Sequence, residues 1–344
     1  MSHQLFGDRF SQRGDRPAWH KIGTQMGDRY ISAGEAYGRN PYRIEVTPVY
    51  TEIGLPGRTP FETVPTKLEL AYQSIVRFPT PDDERTLCFG VVGPEYKLIT
   101  PGDLCGIWDE VVQAGIETLG ALKDGREMFI TVKLPSFEVN GDEHDNYMVL
   151  HAPWDGIHAY RVFTTPIRVV CNNTLMLGIE MAGEAFKVKH DGGSEKRLRM
   201  WLDGIVQRAE AKTKGITETL TLMGQVDLPK PDALRLIERA LPLPTAPRMT
   251  PSTETNEKRE AAWEIAAKSV RRTREQVTVL YEGMGYGMDI ADTPYKLYNA
   301  GVEAMDWAPV KKEGVAIADA LFGGRADQKV DLFNVTFDYA MRHR

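Results

Sequence analysis

The sequence predicts an α+β protein in which a twisted, antiparallel β-sheet backed by a helix is followed by a mostly helical C-terminal half. Two observations predict this fold class. Between residues 42 and 171, short segments of alternating apolar residues follow one another closely, which favours antiparallel pairing. After residue 174, apolar residues recur at the spacing of a helix face instead. Strands therefore come first and helices second, an order typical of α+β folds.

The predicted strands are short and lie in series. The clearest is the segment 67–78, whose alternate apolar residues share one face: Leu68, Leu70, Tyr72, Val76 and Phe78. Further strand segments are predicted at 42–51, 86–92, 116–122, 126–134, 146–152, 157–163 and 166–171. Turn sequences separate most of them, so neighbours in the chain are expected to be neighbours in the sheet.

One helix interrupts the strands and is well marked at both ends. Thr100 is a suitable N-cap, Pro101 occupies the first helical position, and Asp103 completes a capping box. Leu104 and Trp108 fall on one face at helical spacing. Gly115 follows the pattern and is expected to end the helix.

Changes in composition divide the chain into five parts. Residues 1–41 are predicted to form an N-terminal arm, packed on the body through Trp19. Residues 42–174 form the β-rich α+β domain, and residues 175–240 form a helical extension. Residues 241–255 are proline-rich and predict a linker or a surface strap. Residues 256–344 form the C-terminal helical region.

The bulk composition excludes several classes of protein. No apolar run approaches the roughly 18 residues of a membrane span, and the N-terminus shows no secretory pattern. Three widely separated cysteines fit a reducing cytoplasm. No phosphate-binding loop of the G-x-x-x-x-G-K-[ST] type is present, which argues against ATP-driven chemistry. The net charge of −6 counts mildly against a nucleic-acid binder, although a groove can be basic on an acidic protein.

Sites for enzymatic chemistry are weakly indicated, and no metal or other cofactor is predicted. The segment 141–146 brings together Asp142, Glu143, His144 and Asp145 and could supply oxygen ligands for a hard cation, but a solvated hairpin tip explains it as well. His151 and His158 flank a predicted turn and could face each other across a hairpin, but two histidines without a third ligand are weak evidence for zinc. Cys171 is the best candidate for a cysteine nucleophile.

Basic and aromatic residues on the predicted strands point to single-stranded nucleic acid. Cations can follow a phosphate backbone while aromatic rings stack on bases. The alternative is a set of ordinary solvated sheet residues. Asn172 and Asn173 end the last strand, where their amides could contact DNA or cap the next helix. The candidate DNA-binding residues are Arg77, Tyr96, Lys97, Lys133, Tyr160, Arg161, Arg168, Asn172 and Asn173.

Three segments carry a family resemblance. The sequences PAWHKIG, YRVFTTPIRVVCNNTL and TPYKLYNAGVEAMDW resemble the phage/plasmid-like family of unknown function DUF932, and RVVCNNTL is the most specific part. This resemblance implies a bacterial mobile-element protein that acts in the cytoplasm of its host. In pattern, the strand pair followed by GPEYKLITPGDL is also similar to the core of Rad52-like single-strand annealing proteins. That second resemblance implies a basic groove on a sheet and assembly into rings or filaments.

The sequence therefore favours a protein that binds and anneals single-stranded DNA without ATP. It is expected to work as a homo-oligomer, a ring or a filament, and to have no membrane partner. Two alternatives stay open. One is a metal- or cysteine-dependent enzyme of mobile elements, and the other is a phage assembly or host-takeover protein without a nucleic-acid partner.

Overall fold

A computed structural model describes residues 5–12, 24–56, 63–168, 190–248, 253–284, 290–306 and 324–344. The strands are β1 (Leu5–Gln12), β2 (Thr24–Gln25), β3 (Ile44–Pro56), β4 (Thr63–Arg77), β5 (Leu87–Val92), β6 (Thr118–Leu122), β7 (Glu127–Val139), β8 (Asp142–Pro153) and β9 (Arg161–Arg168). The helices are α1 (Ala33–Arg39), α2 (Pro101–Val111), α3 (Ser194–Leu202), α4 (Ile205–Gln225), α5 (Lys230–Ala240), α6 (Thr253–Val279), α7 (Pro294–Asp306) and α8 (Gly324–His343). The predicted α+β class with a mostly helical C-terminal half is confirmed.

The strands form two sheets where the sequence predicted one. The larger has the order β2-β1-β6-β7-β8-β9, and the smaller has the order β3-β4-β5. Their pairs are antiparallel apart from a short parallel contact between β1 and β2. The arm predicted for the N-terminus thus supplies a strand of the main sheet, whereas Trp19 lies outside the described residues.

The segments predicted as two strands at 157–163 and 166–171 form one strand over the described residues, β9, which runs through Pro166. Proline lacks the N–H that a central strand needs for its second neighbour. It is tolerated here because β9 lies at the edge of the described sheet and pairs only with β8.

Helix α2 confirms the predicted capping box. The Thr100 side chain accepts a hydrogen bond from the Asp103 backbone N–H at 3.1 Å, and the Asp103 carboxylate accepts one from the Thr100 backbone N–H at 3.4 Å. The helix ends at Val111, before the predicted stop at Gly115. Trp108 is fully buried and belongs to the same apolar core as one face of the large sheet.

Thr100→Ala is expected to lower the free energy of unfolding by about 1 kcal/mol, because the first turn of α2 loses its cap. Urea denaturation would measure the change. Thr273→Ala is the matched control, since Thr273 lies inside α6 and its hydroxyl donates to the Ser269 carbonyl at 3.2 Å, so no helix cap is involved. Equal changes in the two variants would contradict a capping role for Thr100.

Two apolar cores organise the described residues. The first joins both sheets, α2 and the start of α4, including Ile205 and Ala209. The second joins the C-terminal helices and the remainder of α4, including Ile216 and Leu220. Helix α4 therefore connects the β-rich part to the helical part.

The described part of the proline-rich segment lies along the surface as a strap, and residues 253–255, which were predicted to belong to this segment, form the start of α6. Residues 241–248 contain no helix or strand, and α6 begins at Thr253. The Trp263 indole donates to the Pro244 carbonyl at 2.9 Å, and the Arg274 guanidinium donates to the Leu241 carbonyl at 2.8 Å. These bonds hold the strap against α6.

None of the helices in the described part of the chain has the length and hydropathy that a membrane span requires.

Candidate nucleic-acid interface

Three of the nine candidate residues come together around a fourth residue that the sequence did not single out. The ring of Tyr96 stacks on His190, with centroids 5.0 Å apart and planes inclined by 15°. The ring of Tyr160 lies on His190 with a centroid distance of 4.3 Å and an inclination of 47°. Lys97 follows Tyr96 and is exposed. We call Tyr96, His190 and Tyr160 the ring stack.

The ring stack runs from the apolar core to the surface. Tyr160 is buried, and its hydroxyl donates to the Ile99 carbonyl at 3.3 Å. His190 and Tyr96 are half-buried, and the Tyr96 hydroxyl lies 3.2 Å from His190 Nδ1. The buried end therefore fixes the position of the outer rings.

Separate parts of the chain position these side chains. Tyr96 and Lys97 lie in the loop between β5 and α2, and Tyr160 lies just before β9. His190 precedes α3 and is joined to the loop by a bond from the Lys97 backbone N–H to the His190 carbonyl at 3.1 Å. The Ile99 carbonyl also accepts from the Trp154 indole at 2.9 Å, which ties the loop to the end of β8.

Burial keeps the ring stack uncharged at neutral pH. It lowers the pKa of His190 to about 4, so the imidazole is neutral. Burial likewise raises the pKa of Tyr96 and Tyr160, with Asp155 adding to the rise at Tyr96. A neutral stack of this kind suits contact with the face of another ring, and it lacks a group that titrates near neutral pH for acid–base chemistry.

The pKa of His190 predicts a pH dependence of stability. Because His190 has a pKa near 6.5 when unfolded and about 4 when folded, only the unfolded chain gains a proton between these values. The free energy of unfolding should therefore fall as the pH is lowered from about 6.5 to 4, by at most about 3 kcal/mol from this residue. Urea denaturation at pH 7, 6 and 5 would show a smaller fall for His190→Gln. Parallel curves for the two proteins would contradict the assigned shift.

Arg77 does not fit its predicted role. It is fully buried, and its guanidinium pairs with the Asp83 carboxylate at 2.7 Å. It also lies over the Phe6 ring, 4.6 Å from the centroid. The alternation of β4 turns Arg77 and Ile75 inward, so the prediction that Arg77 contacts DNA at the surface is wrong.

Tyr160 is also buried, so it can act on a ligand only by supporting the outer rings.

Lys133 and Arg161 lie apart from the ring stack. Strand alternation places Arg161 on the sheet face opposite Val162, which packs in the first core with Tyr160. Arg161 pairs in register with His151. The Lys133 ammonium lies 2.8 Å from the Asp145 carboxylate, an ion pair at the surface.

The remaining candidates cannot be placed at this site. The backbone of Arg168 pairs with His144 at the end of β9, but its side chain lies outside the described part of the chain. Asn172, Asn173 and Cys171 also lie outside the described residues. Their predicted roles as caps, DNA contacts or nucleophile stay predictions.

The acidic segment 141–146 is only partly solvated, since Gly141 and Glu143 are exposed at the hairpin between β7 and β8. Asp142 and His144 are buried on β8. The Tyr295 hydroxyl of α7 donates to the Asp142 carboxylate at 2.5 Å and lies 3.1 Å from His144 Nε2. These bonds join the β-rich part to the helical part. Within the described residues, no group of three or more His, Cys, Asp or Glu side chains is arranged to hold a metal.

The two histidines that flank the turn, His151 and His158, have separate partners. His151 is buried with its Nε2 3.5 Å from the Glu127 carboxylate, whereas His158 binds the Asp155 carboxylate at the surface. Cys105 is buried in α2, and burial raises the pKa of its thiol, which disfavours the reactive thiolate.

The chain belongs to the family described as Domain of unknown function (DUF932), whose model matches residues 88–321. The matched range contains the whole ring stack. No curated protein and no solved structure shows significant similarity to the chain. The family membership predicted from the sequence is confirmed, and the comparisons give no support to the resemblance to Rad52-like annealing proteins.

Proposed function

We propose that this protein binds single-stranded DNA at the ring stack and anneals complementary strands without ATP, in the cytoplasm of a bacterium that carries a phage or plasmid. The observation that carries the proposal is the stack itself. Tyr96 and His190 are held parallel at the surface by a buried third ring, next to the exposed Lys97.

Stacking explains how such a site would hold DNA. A base packed against an aromatic side chain contributes about 1–3 kcal/mol, and every base has a face that can stack. Binding would therefore depend little on sequence. Stacking also needs unpaired bases, because the faces of bases in a duplex are already covered.

The charge of the protein limits the affinity of the site. A net charge of −6 repels a polyanion, so the backbone of the strand must be attracted locally. Lys97 is the cation nearest in sequence to Tyr96. In the first turns of α3, Lys196 is exposed, while Arg197 pairs with Asp191. Modest affinity with a clear dependence on salt is expected.

Lys97→Ala is expected to reduce the slope of log affinity against log salt by about 0.7, because one phosphate contact is lost. Titration of a labelled oligothymidine at four salt concentrations would measure this slope. Lys214→Ala is the matched control, since the Lys214 side chain is 84% exposed on α4 and pairs only loosely with Glu218.

The two variants separate a local contact from a general charge effect. An unchanged slope for Lys97→Ala would remove Lys97 from the site. The same reduction in Lys214→Ala would show that net charge alone sets the salt dependence. If the unmodified protein failed to bind at low salt, the proposed function itself would be wrong.

A further inference from the structure

The outer face of the small sheet exposes large apolar side chains. Ile53, Leu55, Leu68, Tyr72 and Val91 are between 37% and 59% exposed. The register places most of them on one face: Thr51 pairs with Leu68, Ile53 pairs with Thr66, and Ser74 pairs with Val91. Tyr72 lies in the irregular part of β4 between these pairs. We call this surface the outer face.

The opposite face of β3 and β4 differs in both burial and charge. At its base it packs into the first core through Ile44 and Ile75. Further out it carries Glu52, Lys67 and Glu69. On the outer face, every second residue belongs to the surface, beginning at Thr47 in β3 and at Thr66 in β4. None of these residues is charged as far as Leu55 in β3 and Val76 in β4. Its apolar character is therefore specific to one side of the sheet.

Among the described residues, β5 supports only the inner half of this sheet. Strand β5 pairs with β4 only at Gln73–Arg77, so β3 and β4 continue beyond it as a two-stranded ribbon. Residues 48–55 and 65–72 include no buried residue. A two-stranded ribbon is marginally stable alone in water, and an exposed apolar patch of this kind marks an interaction surface.

We infer that the outer face packs against the outer face of a second copy of this chain. Charge complementarity selects this occupant. Nucleic acid requires cations, and the outer face has none at the positions given above. Each copy carries a net charge of −6, so two copies repel each other least when they meet through uncharged surface. An uncharged apolar face is complementary to itself, as a two-fold contact requires.

The geometry suits such a contact. Two sheet faces pack about 10 Å apart with their side chains interdigitated. The exposed leucine, isoleucine, valine and tyrosine side chains supply the apolar area for this packing. The inference does not depend on DNA binding, because the outer face and the ring stack share no residue.

Sedimentation equilibrium of the full chain tests this contact. The unmodified protein should be a dimer or larger assembly at micromolar concentration. Leu68→Glu places a charge in the middle of the outer face and should raise the dissociation constant at least about 100-fold, because each copy would bury an unpaired carboxylate. Lys67→Glu is the matched control on the opposite face and should leave the mass unchanged. A monomeric unmodified protein, or a Leu68→Glu variant that keeps the mass of the unmodified protein, would overturn the inference.

Hydrogen exchange provides a second test that needs no variant. Amides of residues 65–72 should become more protected as the protein concentration is raised from below to above the dissociation constant. Protection that does not change with concentration would contradict a contact between outer faces, even if Leu68→Glu failed to fold.

Discussion

Tyr96→Ala is expected to weaken the binding of single-stranded oligothymidine by about 5- to 150-fold, the equivalent of the 1–3 kcal/mol that one stacked base contributes. The substitution removes the outermost ring of the stack and leaves His190 and Tyr160 in place. Fluorescence anisotropy at a single low salt concentration would measure the loss. Tyr96→Phe keeps the ring and should keep most of the affinity.

The control for Tyr96 is Tyr30→Ala. Tyr30 is 58% exposed and precedes α1, away from the ring stack in sequence. The Tyr30→Ala variant should bind DNA like the unmodified protein. If Tyr96→Ala bound equally well while its unfolding curve stayed normal, the ring stack would not be the DNA site.

The largest expected effect on stability comes from Trp108→Ala, at about 3–5 kcal/mol. Trp108 is fully buried, and its loss leaves a cavity between α2 and the sheets in the first core. Urea denaturation monitored by circular dichroism would measure the change. Trp263→Ala is the control. Trp263 is half-buried against the strap, so its replacement should lower the free energy of unfolding by less. A Trp108 effect no larger than the Trp263 effect would contradict the central position of α2.

Local features of the fold could be predicted from the sequence because neighbouring residues determine them. Thr100 and Asp103 lie three positions apart, so their capping box depends on one turn of chain. The alternation that predicted β4 is equally local. Neighbouring residues do not determine which face of β4 packs into the core, because both faces carry apolar residues. Leu68 and Tyr72 share the predicted face with Val76, and it is the solvent face.

The site could be predicted only in part because it depends on distant contacts. Tyr96 and His190 are separated by 94 positions, and a single histidine before a helix carries no sequence signal. The burial of polar residues is equally difficult to predict from the sequence. Arg77 is buried because its guanidinium pairs with Asp83 across a turn, and the sequence of that turn does not indicate the pairing.

Ultraviolet cross-linking of bound oligothymidine, followed by mass spectrometry of the modified peptide, would show directly whether DNA lies on the ring stack. We expect the cross-linked residue to be Tyr96 or His190, at the exposed end of the stack. Cross-links confined to the opposite face of the large sheet, near Lys133 and Arg161, would contradict this expectation.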